Sequence, residues 1–124
     1  MIRYLVCAAV VLPLACSSPT GPVEVATTAY QSIRVSNGTS AAIYYFAIDG
    51  NALALANWAP CTNPETCPSV APGKSRLIPF SEIALLSPTT EAAVVYWWHL
   101  TSQGGGTFAP DSIRAVRVTL RPGA

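Results

Sequence analysis

The chain has 124 residues with 7 Lys+Arg against 6 Asp+Glu, so it forms one domain at most and is no strongly basic nucleic-acid binder. Apolar residues make up 51%, which excludes disorder through lack of apolar surface. A single His leaves few metal ligands and few catalytic bases.

Arg3 precedes an apolar run from Tyr4 to Ala15, broken only by Pro13. A run of about 12 residues falls short of the roughly 20 needed to cross a bilayer and fits the apolar region of a secretory signal peptide. Segment 1–15 is therefore expected to be a signal. The run ends in Leu14-Ala15-Cys16, which resembles the lipobox of bacterial lipoproteins. The resemblance implies that Cys16 becomes the lipidated first residue and that the exported chain is anchored in the cell envelope. Ser17 follows, and in that family a residue other than Asp there goes with outer-membrane sorting. The alternatives are ordinary secretion with cleavage near Ala15, or a short uncleaved anchor. Each buried methylene contributes about 0.8 kcal/mol, so two or more acyl chains hold firmly where one binds reversibly. Without Arg3 the chain has six basic and six acidic residues, and it should not be drawn to nucleic acid or anionic lipid.

Residues 16–30 are rich in Ser, Thr, Pro and Gly and read as a lipidated N-terminus with a flexible tether. Fully extended, about 14 residues reach at most about 46–50 Å. The alternative is that Val23-Glu24-Val25 begins a first strand.

From residue 31 the pattern is β. Ile33 and Val35 alternate with polar neighbours, and Asn37-Gly38 is a hairpin signal. Ala42–Asp49 is apolar at successive positions, as a strand buried on both faces would be. Asp49-Gly50-Asn51 is a turn, and Leu53–Trp58 a weaker strand. Lys74–Phe80 follows the Pro72-Gly73 turn, and Pro79 places it at a sheet edge. Ser81–Leu86 has the form of one helical turn with Ser81 as N-cap. Glu91–Thr101 is the strongest strand, Gly104–Gly106 a flexible loop, and Ser112–Arg121 closes the domain with Val116, Val118 and Leu120 on one face. Six or seven short strands over 31–121 argue for an antiparallel β-sandwich. The arrangement resembles the small immunoglobulin-like sandwiches of bacterial envelope proteins, in architecture alone.

Of four cysteines, Cys7 leaves with the signal and Cys16 takes the lipid, leaving Cys61 and Cys67 in a proline-punctuated loop. An even pair in an oxidising compartment reads as a disulfide. Redox chemistry would want CxxC, and zinc would find only His99 as a third ligand. Neither a metal nor a cofactor is expected.

Other motifs are weak. Gly73-Lys74-Ser75 ends like a P-loop, but the first glycine of that motif falls on Pro68. Asn37-Gly38-Thr39 matches a glycosylation sequon and reads better as a turn. His99 could serve a Ser-His-Asp site with Asp49 or Asp111, yet no strained nucleophile turn is present. The aromatic triplets Tyr44-Tyr45-Phe46 and Tyr96-Trp97-Trp98 must place rings on both faces of a sheet. One face fills the core. The other is either covered by the protein's own chain or offered to a partner.

The expectation is a non-catalytic, lipid-anchored envelope protein, binding or structural, with an envelope protein or glycan as partner. Its contact surface would combine Trp58, Tyr96 and Trp98 with the 59–72 loop. Two alternatives stand beside it: an inhibitor of exported proteases presenting the Cys61–Cys67 loop, and a small hydrolase using His99.

Overall fold

The computed structural model describes residues 20–52 and 57–121, with side chains from Val23 onward. Segment 1–15, Cys16, and residues 53–56 of the expected Leu53–Trp58 strand lie outside the described residues; Asn57 and Trp58 belong to no strand.

Nine strands are present among the described residues: β1 (Thr20–Thr27), β2 (Ser32–Thr39), β3 (Ile43–Asp49), β4 (Ser69–Val70), β5 (Ser75–Pro79), β6 (Ala92–Trp98), β7 (Leu100–Gly104), β8 (Thr107–Pro110) and β9 (Arg114–Thr119). They form a three-stranded sheet β1-β2-β5, a four-stranded sheet β4-β3-β6-β9 and a two-stranded ribbon β7-β8, with every strand pair antiparallel. The two larger sheets share one core. Ile33, Val35 and Ile78 from the first meet Ile43, Tyr45, Ala47, Ala93, Val95, Trp97 and Val118 from the second. Each fully buried Ile or Val contributes about 1.5–3 kcal/mol, so this shared interior holds the two layers together. The fold is an all-β sandwich. As the sequence implies, β3 lies inside its sheet, β5 lies at an edge, and Val118 and Leu120 point inward.

Several expectations are corrected. Over 31–121 the strand count is eight, not six or seven, and a further first strand begins at Thr20 inside the segment read as a tether, as the alternative at Val23-Glu24-Val25 allowed. Val23 and Val25 pack against the core from the edge of the first sheet, so alternation over a short stretch outweighs the Pro/Gly/Ser composition around it. Asn37-Gly38 makes no two-residue hairpin, because β2 and β3 belong to different sheets. Asn37 is instead 2% exposed. Its Nδ2 donates to the carbonyls of Ala41 (2.8 Å) and Val70 (2.9 Å), and its Oδ1 accepts from the Thr39 amide (2.8 Å). The side chain thereby holds the corner where the chain crosses between sheets.

The helical turn falls at Phe80–Glu82, one residue early, with Ser81 making no cap. It ends because the free edge of β3 claims the following backbone: the Ala84 amide donates to Ala47 and the Ala84 carbonyl accepts from Asp49, both at 3.0 Å. The expected Glu91–Thr101 strand divides at His99, whose amide donates to Asp111 Oδ1 (2.9 Å) and whose carbonyl accepts from the Asp111 amide (3.0 Å). The chain then leaves the sheet as the β7–β8 ribbon. Its tip is the expected glycine loop, tightened to a turn in which Gly104, Gly105 and Gly106 have φ of 87°, 63° and 80°. Only glycine adopts three such values in a row without strain.

The sandwich has two ends. One, the corner end, carries the Asn37–Ala41 corner, the Ala71–Lys74 turn, His99 and Asp111. The opposite end carries the turns after β1 and β3, where Thr27 Oγ1 donates to the Thr119 carbonyl and joins the two sheets.

Candidate functional site

Strand register decides where the aromatic rings go. β3 and β6 pair Tyr44 with Trp98 and Phe46 with Tyr96 on one face, and Tyr45 with Trp97 on the other. The second face is the core. On the first, outer face, Trp58 lies against the pairs. Its ring stacks on Phe46 (centroids 4.9 Å apart, 23° between planes), meets Tyr96 at 4.7 Å and lies 6.1 Å from Trp98. Of the three side chains expected at a contact surface, Trp58 and Tyr96 are half-buried. Trp98 is 1% exposed and supports them from below. Phe46 completes the half-exposed group. The sequence showed it within an aromatic triplet, but only the register pairs it with Tyr96.

The disulfide loop seats this cluster. Cys61 and Cys67 are joined, with Cα atoms 5.8 Å apart. Cys67 is buried beside Tyr44 and Trp98, and Trp98 Nε1 donates to the Cys61 carbonyl at 3.0 Å. Within the loop the Thr66 and Cys67 amides both turn inward to the Asn63 carbonyl. Between this loop and the β7–β8 ribbon runs a groove of about 530 Å³, lined by Thr62, Asn63, Pro64, Glu65, Gly106, Thr107 and Phe108. Its volume falls in the range of about 300–1,000 Å³ usual for small-molecule sites. The lining mixes one aromatic ring, one carboxylate, an amide and two hydroxyls, and has no basic side chain.

His99 stands at the mouth of the sandwich. Its Nδ1 lies 3.2 Å from Asp111 Oδ2, and its Nε2 lies 2.9 Å from Thr39 Oγ1. The structure thus joins His99 to Asp111, one of the two candidate acids, and to the hydroxyl of Thr39, which the sequence shows only within the Asn37-Gly38-Thr39 turn. Asp49 sits at the opposite end. No local signal could have named Thr39, which is 60 residues away in sequence. The chain of hydroxyl, imidazole and carboxylate has the connectivity of an activated nucleophile. The hydroxyl proton, however, has other takers. Thr39 Oγ1 is 2.6 Å from Asn37 Oδ1 and 2.9 Å from the Ala41 carbonyl. A hydroxyl carries one proton, and each of these acceptors competes with His99 for it. Arg114 lies 3.7 Å from Asp111 Oδ2 and stacks over Trp97 at 4.6 Å. The group links β2 of the first sheet to β6 and β9 of the second.

Two further titratable groups depart from ordinary behaviour. The Asp49 carboxyl is held below its usual range, first by the Thr90 hydroxyl, which donates to it at 2.5 Å, and next by the Asn51 amide at 2.7 Å. The Tyr45 hydroxyl is pushed up, chiefly by burial, with Arg76 opposing and Glu82 adding to the shift. It has no hydrogen-bond partner among the described residues. No three His, Cys, Asp or Glu among the described residues cluster as a metal ion would require.

No protein-family model, curated protein or solved structure matches the chain. What the fold and the site define is an antiparallel β-sandwich with a disulfide-pinned loop on one outer face.

Proposed function

We propose that the protein is an exported, lipid-anchored module of the bacterial cell envelope, probing its surroundings by binding and without catalysis, and that its ligand is a saccharide. One observation carries the ligand class: the groove between the disulfide loop and the β7–β8 ribbon. A sugar ring needs an aromatic face for its C–H groups and polar side chains for its hydroxyls, which Phe108, Asn63, Glu65 and Thr62 supply. The absence of a basic side chain from the lining disfavours phosphate or carboxylate ligands. The loop's inward-turned amides leave little extended backbone for a protease to grip, which weighs against the inhibitor reading.

The test is titration with neutral oligosaccharides, chito-oligosaccharides among them, followed by amide chemical shifts and tryptophan emission. Saturable shifts at residues 62–65 and 106–108 are expected, weakened at least tenfold by Phe108→Ala. Absence of any saturable shift removes the saccharide. An envelope protein captured by the wild type and released by Trp58→Ala would then assign the surface to a protein partner.

A second reading is favoured by the Thr39–His99–Asp111 chain: a hydrolase with Thr39 as nucleophile, His99 as base and Asp111 orienting the ring. Activated-ester turnover that vanishes in His99→Ala and falls steeply in Asp111→Asn, with the fold intact, would establish it.

A further inference from the structure

We infer that the corner end of the sandwich faces the lipid bilayer, presenting the Ala71–Lys74 turn and the Ser112–Arg114 segment to the headgroups. The inference rests on the lipidation of Cys16 proposed above. Thr20 is paired with Thr39 and therefore lies at the corner end. From Cys16 to Thr20 is four residue steps, which extend to at most about 14 Å whatever their conformation. Counted to Val23, which pairs with Asn37 at the same end, the reach is at most about 25 Å. β2 runs seven residue steps away from this end, a distance of about 23 Å. With Thr20 held in its pairing to Thr39, the tether is shorter than the body, and the body cannot turn the opposite end to the membrane without drawing Cys16 out of it.

The side chains agree with that orientation. At the corner end Lys74 and Arg114 are exposed and outnumber the one carboxylate there, Asp111, which lies 3.7 Å from Arg114; Ile113 between Ser112 and Arg114 is 42% exposed. At the opposite end the carboxylates Glu82, Glu91 and Asp49 outnumber the guanidinium groups of Arg117 and Arg121. The chain without Arg3 is neutral and gains no net attraction, but for a body already tethered a headgroup layer of negative surface potential favours turning the corner end toward it within about a Debye length.

The experiment uses the full lipidated chain in phosphatidylethanolamine/phosphatidylglycerol vesicles carrying a headgroup dye. A donor fluorophore is placed at Lys74→Cys or at Glu91→Cys, with the native disulfide kept. Energy transfer from position 74 is expected to be at least twice that from position 91. Inserting about 15 Gly/Ser residues after Ser17 should narrow the difference. Equal or reversed transfer in the lipidated protein overturns the orientation alone, as does a difference that the longer linker leaves unchanged. Failure of the anchor is read separately. A mature N-terminus whose mass shows unmodified Cys16, with no flotation on vesicles, removes both the lipoprotein reading and this inference.

Discussion

The indole Nε1 of Trp98 donates to the backbone carbonyl of Cys61 at 3.0 Å, across 37 residues of sequence. This bond ties the central strand of one sheet to the disulfide loop. Trp98→Phe keeps an aromatic ring but removes the donor and part of the indole. We expect a loss of about 1–2 kcal/mol, from the missing bond and the space left behind. The urea midpoint should fall with unchanged slope. An unchanged midpoint would mean that the loop is not held by this contact.

Opening the disulfide should loosen the loop while sparing the core. Replacing both Cys61 and Cys67 by Ser is expected to cost about 2 kcal/mol, the chain-entropy value for so short a ring. Far-ultraviolet circular dichroism should be retained, because the shared core draws on neither cysteine. Emission of the tryptophan population should shift red as Trp58 gains water. Collapse of the β signal would show the loop to be part of the folding core.

Asn37 offers a sharper test, since two carbonyl acceptors and the Thr39 amide donor depend on one side-chain amide. Asn37→Ala leaves the Val70 carbonyl without this donor and should cost about 2–3 kcal/mol. Asn37→Asp is nearly the same shape, but turns an acceptor toward two carbonyls, and should be worse at neutral pH than Ala. If Asp is tolerated better than Ala in thermal melts, the assigned amide orientation is reversed.

The Asp49 carboxyl sets an acid limit. Its folded pKa lies below the ordinary value of 3.8, so its stabilising contribution is present above that value. The contribution is lost as pH falls from about 4 toward the folded pKa. Thr90→Val removes the leading cause of the shift. Stability of the variant should therefore be lower at pH 7 and should depend less on pH between about 2 and 4. Equal slopes in the two proteins would contradict the assignment.

Tyr45 makes the opposite kind of prediction. Its hydroxyl is buried without a partner among the described residues, and a buried polar group left unpaired is costly. Tyr45→Phe should leave stability unchanged or raise it by about 1 kcal/mol. A loss of more than about 1 kcal/mol would show that the hydroxyl is bonded after all.

Alternation and β-branched content made most strands legible in the sequence, β3 and β6 most clearly, because a strand buried on both faces takes a polar residue only where it is paired, as Asp49 is at the end of β3. The β7–β8 ribbon was not legible. Leu100–Pro110 is mostly small and polar, and its pairing comes from a glycine turn and from His99 and Asp111 closing its base. The candidate site divides in the same way. Its cysteines and aromatic residues were visible as residue types, whereas the groove needs segments 62–65 and 106–108 brought side by side.

Residue chemistry along the chain determined that this protein is built from strands, that Cys61 and Cys67 pair, and that aromatic rings occupy both faces of one sheet. Those properties are local: they follow from alternation, from short spacing and from the opposite directions of neighbouring side chains. Tertiary structure decided which face Trp58 covers, that Thr39 meets His99 and Asp111, and that the chain enters the sandwich at its corner end. Each depends on strand register and on which sheet a strand joins, and both are set by contacts between residues far apart in sequence.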